Sequence, residues 1–449
     1  MTTIEFKDIQ GLVFSGYNKT MNYASYYLLT IQNADATRQW LKDLVTQQRI
    51  THGEERRTDG CLNLAFSYTG LSQIQKHLSG FELAFQEGMY SPRRSTLLGD
   101  QGENDPSKWY WGNDGNSIHI LLMLYSPDAA THQKRKALEE KAILASGMTF
   151  KCLDSVRPVA AGEFSKEHFG FADGISDPLV EGFPKATQST APQAPKTIAT
   201  GEFVLGYPNG YDGKLTQQPS AGPLGEQFGK NGTYLVFRQL EQDVAGFWSF
   251  INREAGNQNI DQDYLAAKIV GRWPSGAVVQ ANDKSDPKII NNEFDFRDDP
   301  DGFGCPFGSH IRRANPRGIG LGETVETSIT VVNRHRLLRR GRSYGNFVEK
   351  PTQDDGEKRG LFFICLNANI ERQFEFVQHT WINNPKFNGL YDEDDPLIGS
   401  YATHDKNFTI PEQPIRQRIH NFQQFVTVRG GGYFFLPGLN ALKMLSEES

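Results

Sequence analysis

Along the first third of the chain the apolar positions fall into two periods. Tyr26–Ile31 (YYLLTI) is a short, nearly unbroken apolar run, the pattern of a strand. Ala34–Val45 follows with Trp40, Leu41 and Leu44 at helical spacing. Leu62–Tyr68 reads as a strand, Gly70–Leu78 as a short helix, and Ser117–Tyr125 is the clearest strand of the region. Asp128 stands where an N-cap is needed for a helix reaching about Ser146, and Met148–Leu153 supplies one more strand. This succession predicts a ferredoxin-like βαββαβ unit, an antiparallel sheet with helices on one face.

The same alternation resumes further on. Thr233–Arg238 and Leu361–Leu366 read as strands. Asp243–Ile251, Gln262–Val270 and Ile370–Ile382 read as helices, and Phe425–Leu436 as two strands around Arg429–Gly432. No internal sequence repeat is visible, yet both halves carry the same α+β order. The expected architecture is therefore two ferredoxin-like units, over residues 1–199 and 200–449. The stretch 184–200, rich in Pro, Thr, Ala and Gln, is the exposed connection between them. A second irregular region, Gly271–Gly320, is too long for a plain connector, and loops of that length are usually functional or disordered.

Composition narrows the function classes. In 449 residues, 38% are apolar and 22% charged, enough for a sizeable core. The net charge of −6 argues against a phosphate-backbone binder, so no nucleic-acid partner is expected. The four cysteines, Cys61, Cys152, Cys305 and Cys365, lack the close spacing of a zinc or iron–sulfur site and are too few for a disulfide scaffold. The apolar run near Ile118–Tyr125 is too short to span a membrane. The N-terminal MTTIEFKDIQGLVF is not a secretory leader. A cytoplasmic location is the expectation, with leaderless export and self-association into a homo-oligomer left open.

Several motifs mislead. Gly302–Gly308 looks like a phosphate loop, but its spacing is GxGxxxG, Pro306 interrupts it, and no βαβ unit surrounds it. The acidic run Asp392–Asp395 lacks the spacing and glycine of a calcium loop and reads as a solvated turn, with room for one member to face inward. His310 differs from the other nine histidines by its setting, HIRRANPR. A lone imidazole beside arginines is a poor zinc site. It suits haem, which takes one axial histidine and cations for its propionates, and Arg312 is the candidate cation. Asp173, between Gly170 and Gly174, read alone fits a turn or cap better than a reactive group.

Taken together, Gly170-x-x-Asp173-Gly174, His310 137 residues later, and Arg339 another 29 residues on resemble the GXXDG, proximal-ligand and distal-arginine motifs of the dye-decolorizing peroxidases. The resemblance runs nearly end to end and is to the extended bacterial and fungal-type classes. It implies a haem enzyme, with one haem b per chain in a cavity mainly of the C-terminal half. The reaction it implies is the use of hydrogen peroxide to oxidise bulky phenolic or dye-like reductants by one-electron steps. It implies His310 as the iron ligand, Asp173 as the base and Arg339 as the stabilising cation. Asp395 would be the carboxylate behind His310, ahead of Asp394 and Glu371. Leu361 and Phe363 would be the apolar walls of the peroxide pocket. Tyr344 and Trp381 would carry electrons from the surface. A haem carrier or sensor, or a deferrochelatase-like protein, is the rival on the same fold.

Overall fold

The first βαββαβ succession is present in the computed structural model, which describes residues 3–156, 166–184, 197–400 and 406–447. Its strands are β1 (Tyr23–Thr30), β2 (Cys61–Phe66), β4 (Ile120–Ser126) and β5 (Thr149–Val156). β3 (Leu78–Ser79) and β6 (Ser220–Ala221) form a separate two-stranded ladder. The helix Ala34–Thr46 starts where the Asn33 side chain accepts the Ala36 N–H. Ala129–Ala145 starts where Asp128 accepts the Thr131 N–H. The second succession comprises β7 (Thr233–Gln242), β8 (Leu338–Arg339), β9 (Arg342–Tyr344), β10 (Gly360–Asn367) and β13 (Val426–Leu436). β11 (Phe408–Ile410) and β12 (Gln417–Ile419) pair apart from it. Of the connection 184–200, residues 185–196 lie outside the described residues.

All the long strands join one nine-stranded sheet in the order β5-β1-β4-β2-β13-β7-β10-β8, with β9 also on β10. Within each half the order is that of a ferredoxin-like unit, and the seam between halves is β2 against β13. The two ends of the sheet approach one another. Ser155 Oγ on β5 donates to the Ser343 carbonyl on β9 at 2.7 Å, so the sheet curls on itself. Side chains alternate across it with period two. Tyr26, Leu28, Met123, Tyr125, Phe237, Phe362, Ile364 and Phe434 pack together on one face. Tyr27, Leu29, Leu122, Leu124, Val236, Tyr433 and Phe435 pack on the other against Trp40, Leu41, Leu44, Leu442 and Leu445. Both faces are covered, which is why the strands read as unbroken apolar runs.

Two expectations change. Phe425–Leu436 is one strand rather than two. Its glycines form a bulge between Val428 and Gly430, where the Trp111 indole leaves no room for a Cβ on Gly430. The segment Ile370–Ile382 is helical, but with the wide i→i+5 winding over Glu371–Glu375 and Val377–Ile382. No helix among the described residues is long and apolar enough to cross a membrane.

Candidate active site

A cavity of about 280 Å³ opens on the helix-covered face, at the ends of β7, β10 and β13. These strands contribute Leu240, Leu361, Phe363 and Val426. His310, Asp173 and Arg339 all line it.

His310 opens the short helix His310–Ala314, at the end of the irregular region. That region is folded by buried cations. Lys268 Nζ donates to the carbonyls of Phe303 (2.7 Å) and Gly304 (2.6 Å). Arg312, 1% exposed, donates to Asp299 (2.8 Å) and to the Cys305 carbonyl (2.6 Å), with Phe296 and Phe307 on its faces. Arg312 is thus spent on the loop and does not reach the cavity, contrary to the sequence expectation. The His310 Nδ1–H points at Asp395 Oδ2, 2.9 Å away, leaving Nε2 available on the cavity side. The other oxygen of Asp395 accepts the N–H groups of Leu397 and Ile398, each at 2.9 Å. Burial resists charge on both partners, but each stabilises the other: the carboxyl of Asp395 is held low and the imidazole of His310 is lifted.

The acidic run is not a solvated turn. Glu393, Asp394 and Asp395 are all buried. Glu393 accepts from Thr409, Asp394 pairs with Lys406, and Arg313 donates to the Glu393 carbonyl and to that of Trp381 at 2.7 Å. Glu371, one of the two weaker candidates behind His310, is paired with Arg94 at 2.7 Å instead.

On the opposite wall, Asp173 and Arg339 form an ion pair of 2.9 Å between Oδ1 and Nη1. The register explains why Arg339 serves. It pairs with Cys365 across β8 and β10, which sets it on the cavity face, whereas its neighbours Leu338 and Arg340 are buried elsewhere and Arg340 donates to the carbonyls of Leu12 and Val13. Asp173 is delivered by a knotted loop. Glu167 accepts the N–H groups of Phe169 (2.8 Å) and Phe171 (2.9 Å) and the Gln242 amide (2.8 Å), and Gly170 and Gly174 take φ of +97° and +86°. Burial would lift the Asp173 carboxyl, but the guanidinium and the Gly174 N–H outweigh it and hold it below the usual carboxylate range. The charges of His310, Asp173 and Arg339 act on one another across the cavity.

Sequence reasoning missed Glu167, Gln242 and three arginines. Arg336 and Arg272 line the cavity. Arg317 lines an adjoining hollow that shares Arg336 and Asn315 with it. None of the three has a carboxylate within ion-pair distance among the described residues. Burial pushes them down to about 10 (Arg272), 9 (Arg317) and 10 (Arg336), reinforced by the charge of Arg339 on Arg272 and Arg336 and by the charges of Arg336 and Arg272 on Arg317. Both amide atoms of the buried Asn315 lack partners among the described residues. These cations donate to carbonyl and amide oxygens such as those of Gly276, Asn292 and Ser176, with no carboxylate among the described residues close enough to neutralise them. Together with the orphaned amide atoms, beside an apolar cavity with one anchored imidazole, they fit a flat anionic cofactor. The signals were present in HIRRANPR and in Val270-Gly-Arg-Trp273, but spacing alone did not say which arginine turns inward.

Leu361 and Phe363 wall the cavity as expected, joined by Phe374, Val377, Gln378 and Ile382 from the wide helical segment. The two electron-transfer candidates are not at the surface. Tyr344, 7% exposed, lies on the other face of β10, stacked on Phe362 at 4.4 Å. Trp381, 1% exposed, packs edge-on against Phe376 and His335.

Relatives share this arrangement of elements. No family model matches the chain. The crystal structure of a fungal DyP-type peroxidase from Auricularia auricula-judae superposes with a TM-score of 0.80 at 25% identity, over 99% of this chain and 100% of that one. An ancestral D-type dye-decolorizing peroxidase gives 0.79 at 28% identity, over 98% and 99%. A deferrochelatase of Yersinia pestis is 33% identical, but over 123 residues only, 27% of this chain and 23% of that protein. The dye-decolorizing peroxidase msp1 of Mycetinis scorodonius is 30% identical over 98% of this chain and 87% of its own length. On that full-length likeness, the chain belongs to the dye-decolorizing peroxidase family.

Proposed function

We propose that this protein binds one haem b per chain and uses hydrogen peroxide to oxidise bulky phenolic or dye-like reductants in one-electron steps. The observation that carries the reading is the pair of ion-paired couples opening into one apolar cavity, His310 with Asp395 and Asp173 with Arg339. His310 Nε2 would hold the haem iron, and Arg336, Arg272 and Arg317 would answer the propionates. When bound, haem supplies the iron centre at which peroxide is split and two oxidising equivalents are kept.

The chain's own residues do the rest. Asp395 fixes the imidazole tautomer and makes Nε2 a stronger donor. Asp173, held ionised by Arg339, takes the proton from the near oxygen of peroxide and returns it to the far oxygen. The Arg339 guanidinium opposes the negative charge that grows on the departing oxygen. Leu361 and Phe363 leave space for peroxide and exclude a dye. The test is turnover of an anthraquinone dye by the haem-loaded protein, with and without peroxide. Peroxide-dependent bleaching that collapses in the Asp173→Asn, Arg339→Leu double variant supports the reading. Bleaching unchanged in that variant overturns it.

A further inference from the structure

A phenol gives up an electron readily only where something takes its proton at the same time. The buried tyrosines of the sheet differ in this respect. Tyr344, Tyr26 and Tyr125 are buried with hydroxyls that find no hydrogen-bond partner among the described residues. Tyr433 on β13 is 3% exposed, and its hydroxyl donates to Glu375 Oε1 at 2.8 Å. Its ring meets that of Phe374 edge-on, centroids 6.2 Å apart, and Phe374 lines the cavity. One aromatic ring therefore separates Tyr433 from the candidate haem site.

The surroundings suit a proton that leaves and comes back. Glu375 is 2% exposed, and its other oxygen accepts from Arg94 Nη1 at 2.8 Å. Burial lifts its carboxyl above the ordinary value against the pull of the phenol and Arg94, which makes it a stronger base than a solvated glutamate. On the other side lies the buried pair Arg238–Asp100, with the Arg238 guanidinium 5.8 Å over Phe374. No water path is needed, because donor and acceptor already touch.

We propose that Tyr433 is a redox-active residue that stores one oxidising equivalent inside the protein, with Glu375 taking and returning its phenolic proton. Tyr433 gives one electron to the haem oxidised by peroxide. Its O–H bond breaks, the proton moves to the Glu375 carboxylate, and a neutral phenoxyl radical remains. An electron from an external reductant and the proton from Glu375 restore the phenol. The inference rests on the peroxidase reading above.

The experiment is freeze-quench electron paramagnetic resonance on haem-loaded protein mixed with one equivalent of hydrogen peroxide, with the Soret band followed in parallel. The parent protein should give a tyrosyl signal whose hyperfine pattern narrows on ring-deuterated tyrosine. Tyr433→Phe should lose it while the Soret response to peroxide persists. Glu375→Gln keeps the acceptor shape but not the base, and should cut the radical yield by roughly tenfold or more, the lower side of what a positioned base contributes. Fluorotyrosine placed at 433 keeps the ring and hydroxyl and should add fluorine splitting to the signal, a check that does not depend on Tyr433→Phe folding. A parent-like radical in Tyr433→Phe, or an unsplit signal with fluorotyrosine at 433, overturns the inference, as does a parent that responds to peroxide with no tyrosyl signal. No Soret response at all overturns the peroxidase reading, and this inference with it.

Discussion

Replacing Arg339 by Leu removes a charge and unmasks a second effect at Asp173. A unit charge about 4 Å from a developing anion is worth ~4 kcal/mol at an effective dielectric of ~20, or roughly 10³ in rate. The side chains of Arg339 and Asp173 are 36% and 39% exposed to the cavity, so solvent screening trims this. A loss of ~10²–10³-fold in the peroxide-cleavage rate follows, in line with removal of one preorganised donor. The second effect is on pH. Asp173 acts only when ionised, so the rate falls as pH drops through its pKa. In the parent the guanidinium holds that pKa low and the rate persists into acid. In the variant burial is opposed only weakly, the pKa rises, and the acid limb of the profile moves upward. Stopped-flow measurement of the Soret change against pH reads both quantities. A variant within about threefold of the parent rate, or one slowed with its acid limb unmoved, would refute this account.

Other substitutions separate the remaining roles. His310→Ala should leave the folded protein without a Soret band after haem incubation, partly restored by imidazole; retained haem with unchanged ligation would assign the ligand elsewhere. Asp395→Asn keeps the volume but removes the charge behind the imidazole, so haem should still bind and its reduction potential should rise, read by redox titration. Arg336→Met should speed haem transfer to apomyoglobin by roughly tenfold, the loss expected for one charge-assisted contact, with little change in melting temperature. Arg312→Met should do the reverse, lowering the melting temperature through its lost contacts to Asp299 and Cys305.

The sequence was most legible where local periodicity decides the outcome. The strands and the helices starting after Asn33 and Asp128 follow from apolar spacing and caps, and each half keeps the ferredoxin-like order. Asp173, His310 and Arg339, found by motif resemblance, meet in one cavity, with Asp395 behind His310. What stayed hidden depends on distant partners. Nothing local says that Asp394 has Lys406 to neutralise it, or that Arg312 is held by Asp299 while Arg336 has no carboxylate within ion-pair distance among the described residues. Strand register likewise decides that Tyr344 turns away from Leu361, since a one-residue offset exchanges the two faces. The joining of two units into one sheet rests on the β2–β13 seam, which no local pattern announces.

That seam also bears on the order in which the protein is made. The four strands of the N-terminal unit are complete once residue 156 has been synthesised, and their contacts are mostly within that unit. The middle of the nine-stranded sheet is not, because β13 sits between β2 and β7 and ends at Leu436. Until then β2 and β7 each present an unpaired edge. Val426, which lines the cavity, arrives with the same strand. Such long-range pairing is slow to form and leaves apolar strand edges open to aggregation meanwhile. A nascent chain halted before β13 would therefore hold His310, Asp173 and Arg339 without the wall that closes their cavity, and stable haem capture would wait for that strand.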